Sequence, residues 1–172
     1  MRGVIREVVT TIIVAVVIFL VLQATVGSFY VQGRSMEPNF EQWQRLLVSK
    51  VAYRFGEPQR GEVIVFRPPK NEDTDYIKRV IALPNDTVEI KEGTVYINNV
   101  ALDEPYIKAP PNYTLHQTKI PANEYFVLGD NRNNSNDSYD WGTVPRQNIV
   151  GKAWLSVWPP DQWGVTAHYT PQ

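Results

Sequence analysis

The stretch Tyr76-Ile77-Lys78-Arg79-Val80-Ile81-Ala82-Leu83, closed by Pro84-Asn85-Asp86, decides how the rest of the chain is read. A run rich in β-branched and aromatic side chains, ended by turn-forming residues, predicts a strand. Period-two counting puts Ile77, Arg79 and Ile81 on one face, and Tyr76, Lys78, Val80 and Ala82 on the other. Whichever face is buried, a cation shares it with apolar neighbours. Burial and a neighbouring like charge both disfavour a charged amine, so Lys78 is a candidate general base. The plainer reading is a lysine whose stem covers apolar surface while its amine stays in water.

Outward from this strand the pattern is mostly β. Towards the C-terminus, residues 87–90, 94–97 and 100–102 predict two tight hairpins with turns at Glu92-Gly93 and Asn98-Asn99. A Pro-rich loop follows over 109–115, then a strand over 124–128. A long polar segment occupies 129–142, and a closing strand 148–157. Towards the N-terminus, Glu62-Val63-Ile64-Val65-Phe66 reads as a buried strand between Arg60-Gly61 and Pro68-Pro69. Residues 71–74 read as a polar loop. Arg45-Leu46-Leu47-Val48 and Phe29-Tyr30-Val31-Gln32 predict two more strands. No helical period appears in this part. The predicted class is mainly β, an antiparallel coiled sheet or partly closed β-barrel.

Residues 8–26 are different: almost unbroken Val, Ile, Leu, Phe, Ala and Thr. At about 1.5 Å per residue such a helix approaches the ~30 Å hydrocarbon core of a bilayer. Their β-branched side chains would favour a strand in water, but in lipid the backbone must satisfy itself, so a transmembrane helix is expected. Arg2 and Arg6 precede the run, and no Lys or Arg follows it until Arg34. That asymmetry predicts a single-pass type II protein of the cell membrane, with a cytoplasmic N-terminus and the remainder outside. A cleaved secretory signal is the rival reading, although its apolar core is usually shorter. The expected division is 1–27 for N-terminus and anchor, and 28–172 for an extracytoplasmic domain.

Composition narrows the chemistry. The chain has 172 residues, 43% hydrophobic and 20% charged. Roughly 145 residues beyond an anchor suffice for one domain with its own core. A net charge of −1 leaves no electrostatic footprint for nucleic acid. There is no Cys, so thiolate chemistry and disulfides are excluded. His116 and His168 are the whole histidine supply, too few for a His-rich metal site, and each reads as a surface residue. The polar segment suggests calcium at first sight, but counted from Asp130 the sixth position is Ser135 rather than Gly and the twelfth is Trp141 rather than Glu. A turn-rich polar network fits it better. No metal and no cofactor is expected.

What remains is a serine and a lysine. Gly33-Arg34-Ser35-Met36-Glu37-Pro38-Asn39 lies just past the apolar run, and Pro38 stiffens the turn. Ser35 is either a linker residue or a nucleophile presented at the bilayer edge. A serine hydroxyl needs a base to take its proton, and lysine serves only when neutral. Bringing its pKa from about 10.4 to around 8 takes roughly 3–4 kcal/mol of desolvation and charge repulsion.

Four stretches in this order and spacing resemble the type I signal peptidase family, membrane-bound Ser-Lys proteases. They are Gly33 to Pro38, Arg60 to Phe66, Tyr76 to Asp86, and Gly129-Asp130-Asn131-Arg132 running on through Asp137-Ser138. The resemblance implies Ser35 as acyl-forming nucleophile and Lys78 as general base. It implies that Ser135 orients the Lys78 amine and that Asp137 forms an ion pair with Arg79. It implies a monomeric enzyme that cleaves signal peptides of exported preproteins after small residues at −1 and −3, working beside the lipid bilayer. Val31, Met36, Ile77 and Val80 are candidate apolar lining of the peptide site. One departure stands out: Gly33 occupies a position where many relatives carry a serine that helps hold the oxyanion, so a second donor must come from elsewhere.

Overall fold

The computed structural model describes residues 2–70 and 73–169. Of the polar loop expected over 71–74, Asn71 and Glu72 lie outside the described residues. Helix α1, Arg2–Thr25, carries the apolar run. Its residues 3–25 are long and apolar enough to cross a membrane, and the apolar run is exposed along its length, the helix touching the rest of the chain only at its C-terminal end, where Thr25 O accepts from the Lys50 N–H. Its threonines do not break the helix because Thr10, Thr11 and Thr25 donate their hydroxyls to the carbonyls of Arg6, Glu7 and Val21 at 2.8, 2.9 and 2.8 Å. In lipid that removes the cost of a bare hydroxyl.

The remainder is two antiparallel sheets. The elements are β1 Val26–Tyr30, β2 Arg45–Ser49, β3 Val63–Phe66, β4 Tyr76–Ala82, β5 Thr87–Lys91, β6 Thr94–Ile97, β7 Val100–Ala101, β8 Leu115–Lys119, β9 Glu124–Leu128, α2 Ser138–Trp141, β10 Val144–Pro145, β11 Ile149–Trp158 and β12 Gly164–Val165. The large sheet has the order β1-β2-β11-β3-β4-β9-β10, with β12 added to β11. It is curled into an open half-barrel. Register shifts within β11 against β2 and β3, and in β4 between Val80 and Ala82, supply the bending. The small sheet has the order β7-β6-β5-β8. Its hairpins turn at Glu92-Gly93 and Asn98-Asn99, as the sequence predicts, with Asn98 and Asn99 in the left-handed region at φ 51° and 70°.

Three apolar clusters hold these layers. One gathers Val31, Met36 and Phe40 from the serine turn with Leu46, Val48, Val63, Val65, Ile77 and Ala153. A second joins the end of β4 and β9 to the small sheet through Ile81, Ala82, Val88, Ile90, Val95 and Phe126. The third packs Ile64, Phe66, Val80, Tyr125 and Val127. The β4 shift corrects the two-face assignment. Ala82 does not stay on the face of Lys78 and Val80 but joins Ile81 in the second cluster.

Several elements escape the sequence reading, among them the two-residue strands β10 and β12. Strand β8 has a polar sequence and is exposed along most of its length, so it shows no alternation, yet it pairs with β5. Helix α2 is a single turn capped reciprocally by Asp137 and Asp140. The spacing Asp-Ser-Tyr-Asp is the signal that marks it.

Candidate active site

The serine turn is anchored from inside and gripped from outside. Met36 is fully buried in the first cluster and plugs the turn into the core. Asn39 and Phe40 N–H groups donate back to the Met36 carbonyl at 3.1 and 3.0 Å, which closes the turn. Across from it, the Asn131 N–H donates to the Ser35 carbonyl at 2.9 Å, and Asn131 Nδ2 donates to the Arg34 carbonyl at 3.0 Å. Asn39 Nδ2 in turn donates to Asp130 Oδ2 at 2.8 Å and to the Tyr106 carbonyl at 2.7 Å. The turn and the polar segment are thus one unit.

Lys78 reaches this unit from β4. Its Nζ donates to Ser35 Oγ at 2.8 Å and to its neighbour's carbonyl, Ile77 O, at 2.9 Å. The residue is only 4% exposed. Burial pushes the amine down to about 8, against the pull of the Asp137 and Asp130 carboxylates, which favour its charge. The plainer reading of a lysine with its amine in water is therefore not the one observed. The Tyr76 ring, two residues back on the same face, lies 5.4 Å from Nζ.

Ser135 packs against Gly129. Its hydroxyl is buried and lies close enough to the Asp137 carboxylate to favour that group's charge, whereas the Lys78 amine donates to Ser35 and Ile77 among the described residues. Gly129 makes the approach possible. A Cβ there would overlap both the Ser135 side chain and the Ser35 carbonyl.

The expected Arg79–Asp137 ion pair is corrected. Arg79 Nε and Nη2 donate to the two oxygens of Asp130 at 2.8 and 2.7 Å, with both side chains 0% exposed. The register decides it: Arg79 sits opposite Leu128 in β9, which brings Asp130, two residues on, to the guanidinium. The Asp137 carboxylate is instead occupied by the N–H groups of Gly129, at 3.0 Å, and Tyr139, at 3.1 Å. Burial raises the Asp137 carboxyl above the usual aspartate value, opposed by these donors.

An open cleft of about 320 Å³ leads to the Ser35–Lys78 pair between the chain segments that carry Phe29 and Tyr76. Ile77 lines it, as proposed for the peptide site. Val31, Met36 and Val80 do not. They are 1%, 0% and 0% exposed and belong to the core. Gly33 lines the cleft at φ +82°, a left-handed conformation suited to glycine, with nothing near the place a side chain would fill. Sequence reasoning missed Asn39, Tyr106, Gly129 and Asn131 as site residues. Of these, Gly129 and Asn131 stood inside a recognised motif without a role. His168 also departs from expectation: it is partly buried, and its Nδ1 accepts the Val63 N–H at 3.2 Å.

This arrangement can do acyl transfer: a hydroxyl beside an amine that sheds its proton near neutral pH, open to a cleft. Comparison with known proteins places the chain in a family. The family model described as signal peptidase, peptidase S26, matches residues 4–158. A probable signal peptidase I-1 of Synechocystis sp. is 44% identical, with 96% of this chain and 89% of the relative covered. A signal peptidase I of Leptolyngbya laminosa is 43% identical, with 92% and 82% covered. A crystal structure of a signal peptidase I from Enterococcus faecalis is 34% identical over 56% of this chain and 97% of its own, at a TM-score of 0.49. With the motifs in order, the family match spanning most of its length and relatives aligned almost end to end, this chain belongs to the signal peptidase family, peptidase S26.

Proposed function

We propose that this chain is a membrane-anchored serine endopeptidase that removes signal peptides from exported preproteins, with Ser35 as nucleophile and neutral Lys78 as general base. The observation that carries it is the 2.8 Å contact between Nζ and Oγ at a buried amine. Lys78 takes the hydroxyl proton as Oγ attacks the scissile carbonyl. It returns the proton to the leaving amine as the acyl-enzyme forms, then takes one from water for deacylation. The Ser35 N–H, which makes no hydrogen bond among the described residues, is the first oxyanion donor. The open space beside Gly33 leaves room for a water as the second. Ser135, whose hydroxyl is buried beside the Asp137 carboxylate, is the residue proposed to orient the amine.

An extended peptide lying in the cleft presents alternate side chains to its floor. The family relationship supports small residues at −1 and −3. Helix α1 in the bilayer, N-terminus inside, holds the site where such substrates are embedded. Both dyad members come from one chain, so a monomer suffices. The test is cleavage of a preprotein by the detergent-solubilised chain. Ser35→Ala and Lys78→Ala are each expected to lose at least about 10³-fold in kcat. The kcat/KM of the unaltered enzyme is expected to rise with pH through an apparent pKa of about 8. Unchanged cleavage in either variant overturns the dyad.

A further inference from the structure

Beyond β12, residues 166–169 lie back against the large sheet. Val165 and Gly164 pair with Leu155 and Ser156 of β11, and the Thr166 N–H donates to the Trp154 carbonyl at 3.0 Å. His168 then accepts the Val63 N–H, and the Tyr169 N–H donates to the Gly61 carbonyl at 3.3 Å. A Cβ on Gly61 would overlap the Tyr169 backbone, so the strap lies directly against this turn. This path lays the Tyr169 ring 5.3 Å from the Arg79 guanidinium and 5.0 Å from the Tyr106 ring, itself 4.2 Å from the guanidinium. The Ala167 carbonyl accepts from Arg79 Nη1 at 3.2 Å, beside the 2.8 Å bond from the same nitrogen to Gly61 O. The strap lies past residue 158, where the family match ends.

Resting on the proposed dyad, we infer that Tyr169 is a positioning residue for it: the strap and its ring seat Arg79 on Asp130, and that pair holds the serine turn against Lys78. The links are all in place. Arg79 follows Lys78 on β4. Asp130 accepts from Arg79 and from Asn39 within the serine turn, and its neighbour Asn131 holds the Ser35 carbonyl. Without the ring, water reaches Arg79 and the pair loosens. The turn then shifts against the amine, and the Asp130 charge, less fully matched, favours the protonated lysine. Tyr169 does not line the peptide cleft, so it makes no direct contact with the substrate.

The experiment uses the full chain in detergent with a preprotein, comparing Tyr169→Ala and Tyr169→Phe. Tyr169→Ala is expected to lower kcat about tenfold or more, with KM within about twofold. It is also expected to move the midpoint of the rise of kcat/KM with pH upward by at least about half a unit. Tyr169→Phe keeps the ring and is expected to restore both kcat and midpoint. A fall in kcat with an unmoved midpoint means lost stability alone and overturns the inference. So does an unaffected Tyr169→Ala, or a Tyr169→Phe as impaired as Tyr169→Ala. If circular dichroism shows Tyr169→Ala unfolded, Tyr169→Leu takes its place, filling the space without a π face, with the same shift expected and an unmoved midpoint again overturning. Ser35→Ala run in parallel separates the two readings. Retained cleavage there removes the dyad, whereas an inactive Ser35→Ala with an unmoved Tyr169→Ala midpoint removes only the strap's role.

Discussion

Lys78 is the residue on which burial and charge are in open conflict, and the conflict has a measurable consequence. Its amine falls from 10.5 to about 8 because burial penalises the charged form. At pH 7 the native protein therefore holds a charge in a site that resists it, and the unfolded chain does not. Replacing the amine by an isosteric apolar group, Lys78→Met, is expected to stabilise the fold at pH 7 by up to roughly 3 kcal/mol, less the two hydrogen bonds lost. The sign follows from proton counts. Between about 8 and 10.5 the native amine is neutral while the unfolded one is still charged, so the parent protein gains stability as pH rises. The advantage of Lys78→Met is thus constant below about 8 and narrows towards 10.5. Urea unfolding across that range checks it, and a gap independent of pH contradicts it. Period-two counting put a cation on an apolar face whichever face was buried, and the family resemblance singled out Lys78 as the base. The partner of Arg79 was not legible in the sequence. One segment carries both Asp130 and Asp137, and only the pairing of β4 with β9 decides which carboxylate arrives. Val31, Met36 and Val80 were misplaced for the same kind of reason: an apolar residue beside a site reads alike whether it faces the cleft or the core.

Among the elements, the polar segment from Gly129 to Trp141 acts as a clamp. Its first residues grip the serine turn, and its last turn is tied off by the Asp137–Asp140 capping box. The buried part of this loop survives because its polar groups are met inside the protein: Arg132 donates to both oxygens of Glu104 at 2.7 and 2.6 Å and to the Gly129 carbonyl at 3.1 Å. Gly129 is its narrowest point. Gly129→Ala would force apart the Ser135 side chain and the Ser35 backbone. The expected result is a loss of about 1–3 kcal/mol in stability from overpacking. Turnover is expected to drop at least about tenfold, because an ångström of misplacement at the nucleophile is costly. Chemical denaturation and preprotein cleavage read the two effects. Wild-type turnover in a folded Gly129→Ala contradicts the close approach. Strands with apolar alternation and paired turn residues were legible one by one. The clamp was legible only as composition, since Asn, Asp and Ser signal turns without saying what those turns enclose.

The whole molecule is a helix joined to a sheet with no slack between them. Strand β1 begins at the residue after α1, and the Lys50 N–H donates to the Thr25 carbonyl at 2.9 Å, stitching β2 to the helix end. A nucleophile ten positions beyond Thr25 therefore cannot travel far from wherever α1 is held. With α1 in a bilayer and the preprotein embedded in the same one, encounter becomes a search over a surface at high effective concentration. The chain lacking residues 2–25 keeps every sheet contact of β1 and the entire dyad, so its chemistry on a short soluble peptide spanning a cleavage site is expected to stay within about threefold. On a preprotein in vesicles its kcat/KM is expected to fall at least about hundredfold relative to the full chain in the same vesicles. Circular dichroism of the shortened chain confirms that it is folded before the comparison is made. Equal losses on both substrates would mean that α1 supports the catalytic fold itself. No loss on either would mean that tethering contributes nothing, and the dependence of the site on its membrane would have to be abandoned.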